Sequence, residues 1–408
     1  MNRNPDRIRV LYSFPNKIGG ARICYTAWQQ VNGLAAAGAD VLLVPASSCR
    51  PVPPGVAVRP TLARGKMRMP FKLLGKGRAH VLHDYLVARR IQNLEGRIDI
   101  VHTWPSGSLR TLKAAARLGI PTVLERCNSH TRYAYEVVQK ECDRIGVALP
   151  PENESTFNED VLRVEEEEFS LADRLLCPSE FVKQTFLDKG FSQDRLARHF
   201  YGFDEKAYYP APDYKPNRDG LKMLFVGFCA VRKGLHFALE AWLRSPAQRD
   251  GTFSIAGEFL PAYAEKLRPM LSHPSIRVLG HRTDVPALMR SSDVLVLPTI
   301  EEGFPLVCVE AMGSGCVPVV SDVCRGICEH MQNSLLHRVG DVAALTEHIN
   351  LLNGDRALVQ KLRSAGLRLG DSLTWNAAGT RLLDIYRETI NMYSRQREHA
   401  SPMAAVGD

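Results

Sequence analysis

The chain has 408 residues, 45% hydrophobic and 24% charged, with a formal net charge of +8. That length exceeds what one hydrophobic core usually serves, so two domains are expected, and no run of about 18 apolar residues offers a membrane-crossing helix. No zinc-finger spacing, helix-turn-helix signal or aromatic ribonucleoprotein string accompanies the positive charge, which sets nucleic acid aside as a partner and leaves an anionic small ligand or an anionic membrane face.

The ten cysteines are scattered, with no Cys-x-x-Cys pair, and the first residues lack a secretory pattern, so a cytoplasmic chain with reduced thiols is expected. Cys324, Cys328 and His330 lie close in sequence, but a fourth ligand for structural zinc is missing nearby, so no metal is expected.

Residues 8–15 read as a first strand, followed by Asn16-Lys17-Ile18-Gly19-Gly20 and a helical pattern from 21 to about 37. Gly38 stops that helix and 40–44 form the next strand, so the chain opens with a βαβ unit. Gly19 and Gly20 stand at the carboxyl end of the first strand, where open α/β sheets bind ligands, and carry no Cβ to hold a ligand off the backbone. Residues 59–90 are basic, with Arg59, Arg64, Lys66, Arg68, Lys72 and Lys76 among the cations and only Asp84 against them. Met67, Met69 and Phe71 interleave apolar side chains with that charge. The segment reads as a solvated surface helix pair or, on a second reading, as a face that rests on an anionic membrane.

Residues 98–104 and 120–126 are two further strands, joined by a helix over 110–118. Each ends beside a histidine: His102 in the first, and His130 in the loop Cys127-Asn128-Ser129-His130-Thr131 after the second. From 136 to 173 the charge turns acidic, densest at Glu165 to Glu168, and reads as an exposed helix. Residues 210–219 are proline-rich and polar, which marks a linker.

A second set begins with a strand over 221–227, the loop Phe228-Cys229-Ala230-Val231-Arg232-Lys233-Gly234 and a helix to about 242. Two cations at a helix start are unfavourable for the helix itself, so Arg232 and Lys233 point to an anionic ligand. Strands over 253–258 and 276–280 and a short helix over 284–289 follow. The apolar run 293–298 then leads into Thr299-Ile300-Glu301-Glu302-Gly303-Phe304-Pro305-Leu306-Val307-Cys308-Val309-Glu310-Ala311, with a buried strand at 316–321 behind it. This is strand, loop, helix and strand: Pro305 suits the first helical turn and Gly315 the exit. The unpaired N–H groups at such a helix start attract an anion, so a diphosphate can rest on Leu306 and Val307, with Glu302 and Glu310 reading hydroxyls on either side of it. Two carboxylates flanking a diphosphate describe a sugar nucleotide.

The string from Glu302 through Gly303, Phe304 and Pro305 to Glu310 resembles the paired-glutamate motif of retaining glycosyltransferases of family 4, which have the GT-B fold. The resemblance runs over residues 8–393 and is more specific in the second half. It implies an α/β architecture of two Rossmann-like domains facing across a cleft, with a C-terminal helix crossing back to the first domain. The expected divisions are an N-terminal acceptor-side domain over 1–209, a linker over 210–219, a nucleotide-sugar-binding domain over 220–378, the crossover helix over 379–396 and a disordered tail over 397–408.

The resemblance also implies transfer of a sugar from a nucleotide-diphosphate donor to a saccharide, lipid-linked or small-molecule acceptor, without a bound metal or other cofactor, in polysaccharide or glycolipid synthesis. By the same likeness Lys233 faces the phosphates and Glu310 the ribose, while Glu302 and His130 orient the transferred sugar, with His102 competing for the histidine's place. Phe228 departs from the commonest pattern, which has arginine after the glycine, and Arg232 stands in line to supply that charge. Two other readings stay open: a sugar-nucleotide 2-epimerase on the same fold, and a catalytically silent nucleotide-sugar-binding subunit, which Phe228 favours.

Overall fold

The computed structural model describes residues 7–64, 67–68, 75–94, 96–214, 220–370 and 372–400. The first of two parallel sheets contains β1 (Arg9–Ile18), β2 (Asp40–Ser48) and β3 (Ala57–Val58); β4 (Ala63–Arg64) and β5 (Met67–Arg68) pair separately as a short antiparallel hairpin. The sheet continues with β6 (Ile100–Thr103), β7 (Thr122–Glu125), β8 (Arg174–Cys177) and β9 (Leu196–Arg198), in the order β3-β2-β1-β6-β7-β8-β9. The second sheet contains β10 (Lys222–Val226), β11 (Thr252–Ala256), β12 (Ile276–Gly280), β13 (Val294–Leu297), β14 (Val317–Ser321) and β15 (Leu335–His337), in the order β12-β11-β10-β13-β14-β15. In both, strand order reverses beside the first strand, between β1 and β6 and between β10 and β13. Crevices at such reversals, outside the carboxyl ends of the strands, are where open α/β sheets place ligands.

The central strands are apolar on both faces because helices cover both: every residue of β7 and of β13 is buried. The helices of the first half are α1 (Ile23–Ala36), α2 (Lys76–Gln92), α3 (Leu109–Arg117), α4 (Thr131–Ile145), α5 (Glu159–Leu171) and α6 (Glu180–Leu187). Those of the second are α7 (Leu235–Arg244), α8 (Pro261–Leu271), α9 (Val285–Arg290), α10 (Leu306–Ser314), α11 (Val342–Gly354), α12 (Arg356–Gly370) and α13 (Trp375–Ala400). Side chains fix several starts: Asn158 accepts from Val161 N at 3.0 Å, Ser179 from Val182 N at 3.1 Å and Asp341 from Ala344 N at 2.9 Å. Each such cap is worth about 1 kcal/mol.

The last helix does cross back. α13 packs on α1 through a mutual approach of two glycines: a Cβ on Gly33 would lie 2.9 Å from Gly379 Cα, and one on Gly379 would lie 2.5 Å from Gly33 Cα. Tyr386 on α13 reaches into the first sheet, where its hydroxyl is 2.6 Å from His102 Nδ1. That histidine is fully buried, 3.8 Å from Glu125 and stacked on Tyr12, and burial pushes its pKa down to about 3. His102 therefore ties the crossover helix to the sheet and is not at the surface of a cleft.

Several expectations are corrected. Among the described residues the basic segment forms the β4–β5 hairpin and the helix α2; residues 65–66 and 69–74, on which the rest of the expected helix pair would fall, lie outside the described residues. The acidic stretch is two helices, α4 and α5, and the densest run is not exposed. Glu168 is buried and accepts from Ser106 N (2.7 Å) and Ser108 N (2.8 Å), and Glu165 pairs with Arg126 at 3.2 Å. The crossover helix runs from Trp375 to Ala400, so 397–400 are helical and the rest of the expected tail, 401–408, lies outside the described residues, as do 215–219 of the linker.

Candidate functional site

The reversal between β10 and β13 gathers the second half's chemistry. The loop after β10 is laced to the loop after β13: Ile300 N donates to Arg232 O at 2.8 Å and Thr299 Oγ1 to the same oxygen at 3.1 Å. This brings Arg232 and Lys233 onto the glutamates. Lys233 Nζ is ion-paired with Glu302, and both side chains are largely buried. Arg232 lies 3.2 Å from Glu301, 3.9 Å from Glu302 and 3.8 Å from Glu154 of the first half.

Glu301, which the motif reading passed over in favour of Glu302, fastens the two halves together. Its carboxylate accepts from Ser129 N (2.9 Å) and Ser129 Oγ (2.8 Å), in the loop after β7. Burial alone would raise its pKa, but Arg232 and the Ser129 donors outweigh that and hold it below the usual carboxylate value. The adjacent Gly303 is in contact across the same boundary, where a Cβ would fall 1.6 Å from Cys127 O. Two successive glutamates in a loop give no sequence signal for which one faces the ligand and which the other domain.

Phe304 is buried against Tyr201, with ring centres 5.2 Å apart, and Pro305 precedes the first residue of α10 instead of lying in its first turn. Leu306 N is turned back onto Phe304 O at 2.8 Å, so of the two donors expected for an anion only Val307 N has no acceptor among the described residues. Gly315 ends the helix with φ 75°, as the exit required. Glu310 lies on the second turn, beside Tyr208. Burial, with a further push from Asp204, raises its pKa to about 8 although Tyr208 hydrogen-bonds to it.

The first-half residues fare differently. Gly19 (φ 81°) and Gly20 do follow β1, but neighbours account for them: a Cβ on Gly19 would meet Arg50 Cβ at 2.8 Å, and one on Gly20 would meet Cys24 Cβ at 3.3 Å. His130 caps α4, its Nδ1 accepting from Arg132 N at 3.3 Å, and its ring is 2% exposed among Phe169, Phe186 and Phe191. Burial there pushes its pKa down to about 4. Its ring is thus enclosed by three phenylalanines, while the preceding residue, Ser129, is the one that meets Glu301. Cys324 and Cys328 are buried beside Cys308, and among the described residues no three His, Cys, Asp or Glu side chains are placed to hold a metal ion.

The family described as Glycosyltransferase Family 4 matches residues 25–205, and the one described as Glycosyl transferases group 1 matches residues 220–355. The chain belongs to glycosyltransferase family 4. This family 4 chain is 30% identical over 192 residues to glycogen synthase of Mycobacterium tuberculosis, covering 45% of this chain and 46% of that one, so it spans less than half of that relative. To D-inositol 3-phosphate glycosyltransferase of Mycobacterium bovis it is 25% identical over 426 residues, covering 92% of this chain and 81% of that one.

The fold is shared with sucrose-phosphate synthase from Thermosynechococcus elongatus at TM-score 0.68 and 18% identity, over 95% of this chain and 100% of that chain. It is likewise shared with the HepE protein of Anabaena, solved in complex with UDP-glucose, at TM-score 0.64 and 17% identity, over 94% of this chain and 100% of that chain. The two parallel-sheet domains are therefore those of the GT-B fold.

Proposed function

We propose that the protein transfers a sugar from a nucleotide-diphosphate donor to an acceptor hydroxyl with retention of configuration, in polysaccharide or glycolipid synthesis. The observation that carries this reading is the meeting of Lys233 with Glu302 at the start of α10, with Glu310 one further turn along the same helix. The diphosphate would take Lys233 and Val307 N, the ribose Glu310, and the transferred sugar Glu302. Arg232 is shared among Glu154, Glu301 and Glu302, so its part is to hold the glutamate loop more than to meet the phosphates.

In the reaction the bond from the anomeric carbon to the phosphate oxygen breaks, its electron pair leaving with the diphosphate. The acceptor oxygen bonds to the same face of that carbon, and its proton passes to the departing phosphate oxygen. Lys233 and the helix start stabilise the charge that develops there, which is the task a divalent cation performs in other transferases, so the step is written without a metal. Lys233→Ala should lower kcat about 10²-fold, as loss of an oxyanion donor does, with a smaller effect on KM. Equal turnover by the purified variant and wild type would remove Lys233 from this role.

A peripheral contact with an anionic membrane, which a lipid-linked acceptor would need, is favoured by α2. Val81 (54% exposed) and Tyr85 (41%) stand out from it, and Arg110 lies over the Tyr85 ring at 5.8 Å, with Arg89 5.9 Å from it. No helix among the described residues is long and apolar enough to cross a membrane. Vesicles rich in phosphatidylserine should carry the protein upward in a flotation gradient at low salt and release it at high salt. Protein that stays at the bottom under both conditions would leave a soluble acceptor.

A further inference from the structure

Arg22 lies in the loop between Gly20 and α1, with φ 56° and ψ −133°, a conformation that disfavours any residue with a side chain. Its side chain is exposed and makes no hydrogen bond or ion pair among the described residues. It nevertheless crosses from the first half to the second: the guanidinium carbon stands 5.7 Å from the centre of the Phe228 ring, the residue that opens the loop leading to Lys233. One turn further along α1, Tyr25 packs edge-on against Trp375 at the start of α13, with ring centres 6.5 Å apart. The start of α1 thus stands against the β10 loop.

The charges of the site are unevenly committed. Lys233 is paired with Glu302, and Arg232 is shared among three carboxylates. Among the described residues Arg22 has no carboxylate partner. An aromatic face steadies a guanidinium without using any of its five N–H donors, so Phe228 holds Arg22 in place and leaves it free for phosphate oxygens. A strained backbone at a residue whose side chain is unpaired and aimed across a crevice is the kind of outlier from which function is inferred.

We propose that Arg22 contacts the donor diphosphate from the opposite domain and offsets the charge that it gains as the sugar leaves. This rests on the nucleotide-sugar reading of the site. No proton moves in the contact: the guanidinium donates hydrogen bonds to an oxygen that receives the electron pair of the breaking bond. Because Arg22 comes from the first half and Lys233 from the second, full charge stabilisation needs both domains around the same ligand.

The test uses the full-length protein with UDP, GDP and ADP as binding probes and their glucose and mannose derivatives as donors. Arg22→Gly should keep or raise the melting temperature, since glycine accepts the backbone angles, yet lower kcat/KM about tenfold or more, mainly through kcat. Affinity for the nucleoside diphosphate that binds wild type should fall at least several-fold, while that for the corresponding nucleoside stays unchanged. Placing a cation on the other wall, as R22G/F228R, should recover a large part of the lost turnover. If R22G matches wild type in kcat and KM while Lys233→Ala is impaired, the Arg22 assignment falls and the donor site stands. If wild type binds none of the three diphosphates and cleaves none of the sugars, the nucleotide-sugar reading falls and takes this proposal with it.

Discussion

Glu310 is a residue that costs stability where it stands. Its carboxyl, ordinarily near pH 4.5, titrates at about 8 because burial disfavours the charged form and Asp204 adds to that. Between those two values the folded chain keeps a proton that the unfolded chain has lost, so stability drains away as pH rises from about 4.5 to 8. Glu310→Gln removes that loss. Thermal unfolding should show the variant level with wild type near pH 4.5 and more stable at pH 8, by roughly 2–3 kcal/mol after allowing for partial exposure, while donor KM rises. A variant no more stable at pH 8 than at pH 4.5, relative to wild type, would contradict the buried carboxyl.

At this scale the sequence is legible where placement is local: Lys233, Glu302 and Glu310 sit within short strings, and the structure pairs Lys233 with Glu302 and puts Glu310 on the helix that follows. Glu301 was not legible, because its partners Ser129 and Arg232 come from elsewhere in the chain. The surroundings of His130 were not legible for the same reason. What surrounds its ring is Phe169, Phe186 and Phe191, far along the sequence.

At the scale of elements, short segments rich in apolar residues and bounded by turn signals were enough to find β1, β2, β6, β7, β10, β11, β13 and β14, and the longest continuous runs are those of β2, β10 and β13. The edges β3, β9 and β15 span only two or three residues and have no pattern to read. The acidic run on α5 looked solvent-facing because four glutamates in a row usually are. Here Glu165 and Glu168 turn inward to Arg126 and to the Ser106 and Ser108 amides.

The loop between β13 and α10 makes a prediction of its own. Gly303→Ala places a methyl group 1.6 Å from Cys127 O, a backbone atom that cannot swing aside. Neither domain core should suffer, but the contact between the halves must open. Small-angle scattering should show a larger radius of gyration, accompanied by at least a tenfold loss of kcat, in line with the cost of misplacing reacting groups by about 1 Å. An unchanged radius with full activity would mean that the boundary is looser than these distances state.

For the whole molecule, length argued for two domains and the order of strands and helices for two α/β units. How the units meet was beyond a reading along the chain. It depends on Glu301 with Ser129, His236 with Glu141 at 2.9 Å, and α13 lying on α1. The central claim is that this cleft holds a nucleotide-diphosphate sugar, and a thermal-shift series with UDP, GDP, ADP and their sugars tests it most directly, because a ligand bound only by the folded state raises the melting temperature. One base should give a clear rise that Glu310→Ala abolishes. Folded wild-type protein that shows no rise with any of them would contradict the claim.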